Sequence, residues 1–183
     1  MTILVAASIV DKAALNIADK LIKRYGFVKT QEVFDGKPVY RCEDALLVFP
    51  KVDDIYANNL DKHFRVEEVI FASRHKSETG RPTLTVHVPG NLTSQALYGG
   101  RPREVAWANP QRMKAALLAL ASIGNRLKLG YSISLEVTHH GPTEMSVPVT
   151  FVEIGSSEKQ WTDVKAGGAV AEAIWAAITR PSE

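Results

Sequence analysis

Short apolar stretches alternate with amphipathic ones along the first part of the chain. The run Ile3–Ser8 is almost wholly apolar, which is typical of a buried strand. Asp11 is a suitable cap for the next segment, whose apolar residues recur at helical spacing until Gly26. Two strands around the turn Asp35–Pro38 and the apolar run Ala45–Phe49 follow. The order strand, helix, strand predicts an α/β arrangement.

The second part of the chain continues this alternation with longer elements. Glu68–Ser73, Thr83–Val88 and Val147–Ile154 have the composition of strands. Asn109, followed by a proline, predicts the start of a helix that stops at Gly130. The intervening residues 89–110 are rich in glycine and proline, and a loop of this length usually carries function.

Two further elements complete the predicted fold. Apolar and polar residues alternate over Tyr131–Val137, which predicts a half-covered strand. Ser157 and Gln160 can form a capping box for one final helix with a single apolar stripe. Strands interleaved with helices on this scale predict an α/β three-layer sandwich with a mixed β-sheet. We expect one domain that spans residues 1–183.

Composition narrows the class of protein. The chain is 45% hydrophobic and 23% charged, and no stretch approaches the roughly 18 unbroken apolar residues of a membrane span. Its apolar start is not preceded by the basic residues of a signal peptide. Cys42 is the single cysteine, which excludes an internal disulfide and fits a cytoplasmic location. The net charge of +2 neither requires nor excludes a nucleic-acid partner.

The candidate chemistry lies where predicted strands end. Four of the five histidines occur at or near strand ends or turns, namely His75, His87, His139 and His140. Imidazole titrates near neutral pH, so it serves as a general base, and it is also the commonest zinc ligand. The spacing matches no zinc motif such as HExxH. The residues alone therefore leave catalytic, metal-binding and ordinary structural roles open for these four. We assign His63, in a charged stretch, to an ordinary structural role at the surface or in the core.

His139 and His140 are adjacent, and this limits how they can act together. If the preceding strand extended to them, their side chains would point to opposite faces. They can serve one substrate or one ion only if the turn Gly141-Pro142 brings them together.

Glu153 is the most conspicuous carboxylate. On a predicted strand it shares a face with Val149 and Phe151, where a charged group needs a partner. Gly155 and Ser156 then precede a helix, whose N–H groups can hold a phosphate or an oxyanion, although simple capping is the commoner arrangement. The chain contains no GxGxxG, P-loop or GxSxG motif, so the usual nucleotide-dependent and serine-hydrolase mechanisms are not indicated.

Several segments together resemble the D-aminoacyl-tRNA deacylases of the archaeal and plant type. They occur in the family's order and are SRH at 73–75, RPTLTVHVPGN at 81–91, GGRP at 99–102, THHGPT at 138–143 and PVTFVEIGSSEKQW at 148–161. The resemblance implies hydrolysis of the ester between a D-amino acid and the 3′-terminal adenosine of tRNA, which recycles mischarged tRNA. It also implies zinc as cofactor, tRNA as partner without a membrane, and a fold similar to peptidyl-tRNA hydrolase and phosphorylase-like proteins.

We expect a monomer. With the resemblance in view, we also expect particular roles for individual residues. As catalytic groups we expect His139, His140 and Glu153. As metal ligands we expect His75 and His87, with His139 or His140 as a further ligand. For substrate binding we expect Gly90, Asn91, Thr143, Gly155 and Ser156.

One departure from the family concerns length. Family members usually continue into a glycine-rich segment that ends in His-Tyr, whereas this sequence ends at Glu183. We therefore expect a domain truncated at its C-terminus relative to the family. Two alternatives to the deacylase remain, a non-catalytic relative that binds tRNA or nucleosides, and another tRNA-ester or peptidyl-tRNA hydrolase on the same fold.

Overall fold

A computed structural model of the chain describes residues 2–179. The predicted domain 1–183 thus includes residue 1 and residues 180–183, which lie outside the described part. In chain order the elements are β1 (Ile3–Ala6), α1 (Lys12–Arg24), β2 (Val28–Phe34), β3 (Lys37–Cys42), β4 (Ala45–Val48), a 3₁₀ turn (Asp54–Tyr56), α2 (Leu60–His63), β5 (Glu68–Lys76), β6 (Thr83–His87), β7 (Gly90–Asn91), β8 (Glu104–Val105), α3 (Pro110–Leu127), β9 (Ser132–Leu135), β10 (Val149–Ser156), α4 (Glu158–Trp161) and α5 (Val164–Thr179).

Eight strands form one mixed sheet in the order β2-β3-β4-β1-β5-β10-β6-β9. The central strands β4, β1, β5 and β10 are parallel, whereas β6 runs antiparallel to β10 and parallel to β9. The hairpin β2–β3 extends the sheet at the opposite edge, with β3 antiparallel to β4. The predicted α/β class with a mixed sheet is confirmed.

The three long helices α1, α3 and α5 cover one face of this sheet. One apolar stripe of each helix faces the sheet, and Ile17, Leu120 and Ile174 on these stripes are fully buried. Both predicted caps hold these helices in place. Asp11 Oδ1 accepts hydrogen bonds from the N–H groups of the first turn of α1, and Asn109 Oδ1 does the same for α3.

The opposite face carries a second apolar cluster under a different cover. Phe71 and Phe151 stack there with their ring centroids 4.5 Å apart. Ala57, Leu60 and Met145 pack onto this cluster from the 3₁₀ turn, α2 and the loop before β10. The third layer of the predicted sandwich therefore consists of short helices and loops instead of long helices.

Two predicted elements differ from the structure. The final helix is interrupted after α4, and Asp163 Oδ1 then accepts from Lys165 N at the start of α5. The strand predicted over Tyr131–Val137 ends at Leu135, because β9 is an edge strand whose outer residues have nothing to pack against. Leu135 and Val137 are accordingly 56% and 72% exposed. Among the described helices, none combines the length and the apolar character needed to cross a membrane.

Candidate active site

The register of three central strands assembles the site. β10 pairs in parallel with β5 and antiparallel with β6, so residues on the loop-covered face form three rows. The rows are Phe71–Phe151–His87, Ser73–Glu153–Thr85 and His75–Gly155–Thr83. The aromatic row belongs to the second apolar cluster, and the chemistry begins one row further toward the carboxyl ends of β5 and β10. Every second residue of β10 lies on this face. The face therefore changes from aromatic at Phe151 to charged at Glu153 within two residues.

Glu153 lies at the centre of the polar rows and is only 1% exposed. Its Oε2 is 3.5 Å from His87 Nε2 and 3.7 Å from His75 Nδ1, and its Oε1 is 3.8 Å from His140 Nε2. Thr85 Oγ1 also donates to Oε2 at 3.4 Å. The partner that the sequence required for this carboxylate is therefore a group of imidazoles.

His75 links Glu153 to a second carboxylate. Its Nδ1 is 3.1 Å from Glu136 Oε1, on the segment that follows β9. Gly155 provides the space for this ring, because a Cβ at that position would lie 2.9 Å from His75 Cδ2 and 2.3 Å from Thr83 Oγ1. A glycine on β10 therefore allows the imidazole of β5 to lie across the strand.

His139 and His140 both join the cluster. Their ring centroids are 4.5 Å apart, and each is about 5 Å from the ring of His87, at 5.1 Å and 4.8 Å respectively. The strand parity that would send them to opposite faces does not apply, because β9 has already ended at Leu135. His140 is buried, whereas His139 is exposed toward an open cavity beside the cluster, which is described below. His63 lies apart from the cluster, against Phe34, as predicted.

The protonation states of Glu153 and of the imidazoles around it depend on one another. Burial alone would raise the pKa of Glu153, but the surrounding imidazoles, His87 foremost, outweigh it and hold that pKa well below its ordinary value. The neighbouring Glu153 carboxylate raises the pKa of His75. Burial lowers the pKa of His87, yet the Glu153 charge more than compensates and raises it. Burial lowers the pKa of His139. The cluster as a whole stabilises positive charge around one carboxylate.

The same geometry fits a metal ion. The Nδ1 atoms of His87, His139 and His140 donate to the carbonyl oxygens of Val88, Val137 and Gly141 at 3.1, 2.7 and 2.6 Å. A carbonyl oxygen only accepts, so each neutral ring carries its proton on Nδ1 and presents the Nε2 lone pair, as in many zinc sites. Buried His87 Nε2 has no hydrogen-bond partner among the described residues.

The three rings also offer ligand atoms at suitable separations. One atom from each of His87, His139 and His140 lies within 4.8 Å of the others, and the same holds for the group of His75, Glu136 and His139. The residues present therefore fit a zinc ion, for which imidazole is a preferred ligand. The first group has the better prepared lone pairs, and the second retains the predicted His75 ligand.

Three of the predicted substrate-binding side chains form hydrogen bonds to the backbone of neighbouring loops. They do not line the open cavity beside the cluster, which is described below. Asn91 Nδ2 donates to Gly99 O at 2.9 Å, and Thr143 Oγ1 accepts from Arg101 N at 2.9 Å. Ser156 Oγ donates to a carbonyl of the loop before β6 at 2.6 Å. These residues fasten the loops around the site, so any effect on substrate is exerted through those loops.

The two predicted glycines have different surroundings. Gly90 N donates to His140 O at 2.5 Å, which ties the long loop to the histidine segment. Gly155 lies in the row between His75 and Thr83. Neither glycine lines the cavity described below.

An open cavity of about 450 Å³ lies beside the cluster. His75, His139, His140 and Glu153 line it, whereas His87 lies beneath them. Sequence reasoning did not single out Asp53, Arg74 and Tyr98, which also line it, or Glu136, which contacts His75. Two signals were present, since Arg74 adjoins His75 in SRH and Tyr98 precedes GGRP in the long loop.

Comparison with known proteins bears on this site. The family model of the D-aminoacyl-tRNA deacylases matches residues 62–183, a range that contains every histidine of the cluster. The chain belongs to the D-aminoacyl-tRNA deacylase family. It is 44% identical over 171 residues to the D-aminoacyl-tRNA deacylase of Pyrococcus horikoshii, and 41% identical over 179 residues to that of Archaeoglobus fulgidus.

These alignments cover most of this chain and a smaller part of each relative. The shares are 90% of this chain and 61% of the Pyrococcus protein, and 96% and 63% for the Archaeoglobus protein. A crystal structure described as a conserved protein of unknown function superposes with a TM-score of 0.89 at 38% identity, covering 97% of this chain and 63% of that one. The chain therefore spans about three fifths of these family members.

A more distant likeness concerns the fold alone. The futalosine hydrolase of Helicobacter pylori superposes with a TM-score of 0.59 at 10% identity, covering 97% of this chain and 98% of that one. The two chains therefore share an α/β fold, which by itself says nothing about function.

Proposed function

We propose that this chain hydrolyses the ester between a D-amino acid and the 3′-terminal adenosine of tRNA, releasing the free D-amino acid and reusable tRNA. The observation that carries the proposal is a cluster of four imidazoles, three of them within 4 Å of buried Glu153, beside an open cavity in a member of this family. An aminoacyl ester is an activated bond, so its hydrolysis needs a placed water, a proton acceptor and charge stabilisation at the carbonyl oxygen.

Zinc is the cofactor in this proposal, and His87, His139 and His140 would hold it. The support is the donor set, since each ring has its Nδ1 engaged by a backbone carbonyl. When bound, zinc polarises an ester carbonyl and lowers the pKa of a coordinated water. His75, predicted as a ligand, is given a different role here, because its Nδ1 contacts two carboxylates.

The proton transfers are assigned to Glu153 and His75. Glu153 accepts a proton from the attacking water while the water oxygen bonds to the ester carbon. His75, whose pKa is raised by the neighbouring Glu153 carboxylate, donates a proton to the 3′ oxygen as the ester C–O bond breaks. After the products leave, Glu153 releases its proton to water in the cavity and His75 regains one from the same water, since both residues line the cavity. Glu136 holds His75 in position.

The predicted substrate-binding residues support the walls of the pocket in this proposal. Gly90, Asn91 and Thr143 fasten the loops that carry His140 and Tyr98, and Gly155 and Ser156 end β10 beside His75. Discrimination between D- and L-isomers then follows from shape, because a rigid wall that clashes at one tetrahedral centre is sufficient. We place the activity in the cytoplasm, where tRNA is charged, and assign it to a monomer.

A direct test uses tRNA charged with D- or L-tyrosine and follows release of the amino acid by the full chain. We expect release from the D-ester well above buffer, much slower release from the L-ester, loss of activity with a chelator and recovery with zinc. Bound metal is counted separately by elemental mass spectrometry.

Three outcomes would contradict the proposal. Equal rates for both isomers, or no release above buffer, would exclude a D-specific deacylase. Saturable tRNA binding without turnover, weakening as salt rises, would instead identify a tRNA-binding relative. Release from N-acylated substrates would favour a peptidyl-tRNA hydrolase.

A further inference from the structure

Tyr98 is an aromatic residue whose exposure calls for an explanation. Its side chain is 61% exposed, yet it lines the same cavity as His139, His140 and Glu153. Among the described lining residues it supplies the one phenol ring, and several of the others are charged. A large ring left open to solvent at the edge of a reaction site presents a flat apolar face to whatever enters that site.

The backbone on one side of Tyr98 is held by a close approach of three chain segments. A Cβ on Gly99 would lie 2.1 Å from Ile55 O, and a Cβ on Gly141 would lie 2.3 Å from Gly100 N. Gly141 N also donates to Tyr98 O at 3.0 Å. The loop that carries Tyr98 is therefore packed backbone to backbone against the segment that carries His140.

Side chains hold the same stretch of the loop. Asn91 Nδ2 donates to Gly99 O at 2.9 Å and to Arg101 O at 3.2 Å, and Thr143 Oγ1 accepts from Arg101 N at 2.9 Å. Both Asn91 and Thr143 are buried. An exposed ring is thus carried at the start of a backbone stretch, residues 98–101, that both backbone and side-chain contacts hold, which is the arrangement expected of a ring that must keep a fixed position.

We propose that the Tyr98 ring is the surface on which the 3′-terminal adenine of the substrate stacks. This inference rests on the proposed function and names the part of the substrate that this edge of the site recognises. The scissile ester is attached to the ribose of that adenosine, so the base must lie at the rim of the cavity when the ester carbonyl lies at the histidine cluster. Stacking on an aromatic ring suits a base that every tRNA shares, because the contact is independent of both the amino acid and the tRNA sequence.

The experiment measures binding without turnover. The probe is 3′-amino-3′-deoxyadenosine joined through an amide to D-tyrosine, and the companion probe carries the same 3′-(D-tyrosylamino)ribose with a methyl group in place of the base. Titration calorimetry compares both probes on the full chain and on the variants Tyr98→Ala, Tyr98→Leu and Tyr98→Phe. Trp107→Ala is the matched control, because Trp107 is 69% exposed and does not line this cavity.

We expect Tyr98→Ala to weaken the adenosine probe by about 5- to 150-fold, which corresponds to 1–3 kcal/mol at about 1.4 kcal/mol per factor of ten. Tyr98→Leu should lose most of this affinity, whereas Tyr98→Phe and Trp107→Ala should retain it. The base-free probe should bind all variants equally, since it has nothing to stack.

Several results would overturn the stacking role. Equal weakening of both probes by Tyr98→Ala would assign the ring to the ribose or the amino acid. An unchanged affinity in Tyr98→Ala, or no saturable binding of the adenosine probe to the unaltered chain, would remove the role altogether. Failure of the proposed function is distinguishable, because a chain that binds the adenosine probe through Tyr98 but does not hydrolyse D-tyrosyl-tRNA would retain the stacking site and lose the deacylase.

Discussion

Neighbouring residues of β10 illustrate how different the two faces of the sheet are. Val152 and Ile154 point to the helix-covered face and are fully buried among aliphatic side chains. Glu153 lies between them in sequence, is equally buried, and faces three imidazoles. The degree of burial is the same, so it does not distinguish the two environments. What differs is the layer that packs on each face, which consists of long helices on one side and of short helices and loops on the other.

The cover decides the chemistry available to each face. Helices present regular apolar stripes and satisfy their own backbone groups, so the face beneath them becomes a hydrophobic core. Loops present histidines, carboxylates and backbone carbonyls, as the segment of His139 and His140 does. The same strands therefore stabilise the fold on one side and hold the candidate site on the other.

The substitution Glu153→Gln tests most directly whether the loop-covered face of the sheet carries the catalytic group. It keeps the size of the side chain and removes the proton acceptor, so we expect the deacylation rate to fall by about 10²–10⁴-fold while tRNA binding persists. Glu67→Gln, on an exposed residue, is the matched control. Single-turnover rates measure the effect. A rate within a few-fold of the unaltered chain would remove Glu153 from the mechanism.

The reciprocal change on the helix face is Ile154→Ala. Deleting these fully buried atoms should lower the free energy of unfolding by about 2–5 kcal/mol, because the packed helices cannot fill the cavity. The rate per folded molecule should stay within a few-fold of its original value. Urea denaturation and the deacylation assay measure the two quantities. A loss of rate without a loss of stability would contradict the separation of the faces.

Gly155→Ala tests a position that affects both the stability of the fold and the position of the His75 ring. The added Cβ conflicts with both Thr83 Oγ1 and the His75 ring, so we expect about 1–3 kcal/mol of destabilisation together with a rate loss of roughly tenfold or more. Adding Thr83→Ala removes one of the two conflicts. The double variant should therefore regain stability while its rate stays low, because His75 is still displaced. Recovery of both quantities would show that the position of His75 is not critical.

Metal binding should depend on pH with a defined sign. The raised pKa of His87 means that this ring retains its proton to higher pH than an ordinary histidine. That proton competes with zinc, so the affinity should rise with pH until His87 is neutral, by up to about tenfold per pH unit for the proton displaced. Calorimetry in buffers of different ionisation enthalpy counts the protons released. An affinity that is flat between pH 5 and 8 would contradict this.

The smallest expected effect concerns a second buried carboxylate. Asp54 Oδ1 accepts from Ser8 N, but burial and the neighbouring acids Asp11 and Asp53 raise its pKa well above the ordinary value, the reverse of Glu153. A raised carboxyl pKa removes stability as pH climbs from the unfolded-state value through the folded-state one. Asp54→Asn should therefore stabilise the fold at pH 8, on the order of 1 kcal/mol, and have little effect at acidic pH. Thermal unfolding at both pH values checks the sign.

Much of the fold was predictable because its signals are local. The caps Asp11 and Asn109 and the apolar strands follow from neighbouring residues, and the structure contains them. The errors fell where long-range packing decides the outcome. The strand before His139 was predicted too long because nothing covers its outer residues at the sheet edge, and the last helix was broken at Asp163.

The candidate site was predictable only in part. The histidines and Glu153 stood out because of their residue type and their place at strand ends. Glu136, Arg74 and Tyr98 did not, because their significance depends on which segments lie side by side. Likewise, Asn91 and Thr143 were predicted to contact substrate, but their polar atoms hold loop backbone, which a sequence pattern does not distinguish.

The linear order of residues therefore settles the periodicity and the caps, because each depends on residues close together along the chain. It also settles the family and the types of chemical group available, because these depend on residue identity and order and not on which residues are in contact. The tertiary structure decides which groups meet. Glu153 is surrounded by His75, His87 and His140 only because β5, β10 and β6 pair in one register and the turn after β9 returns over their ends. Strand register and loop packing are long-range properties, so the site exists only once the sheet has formed.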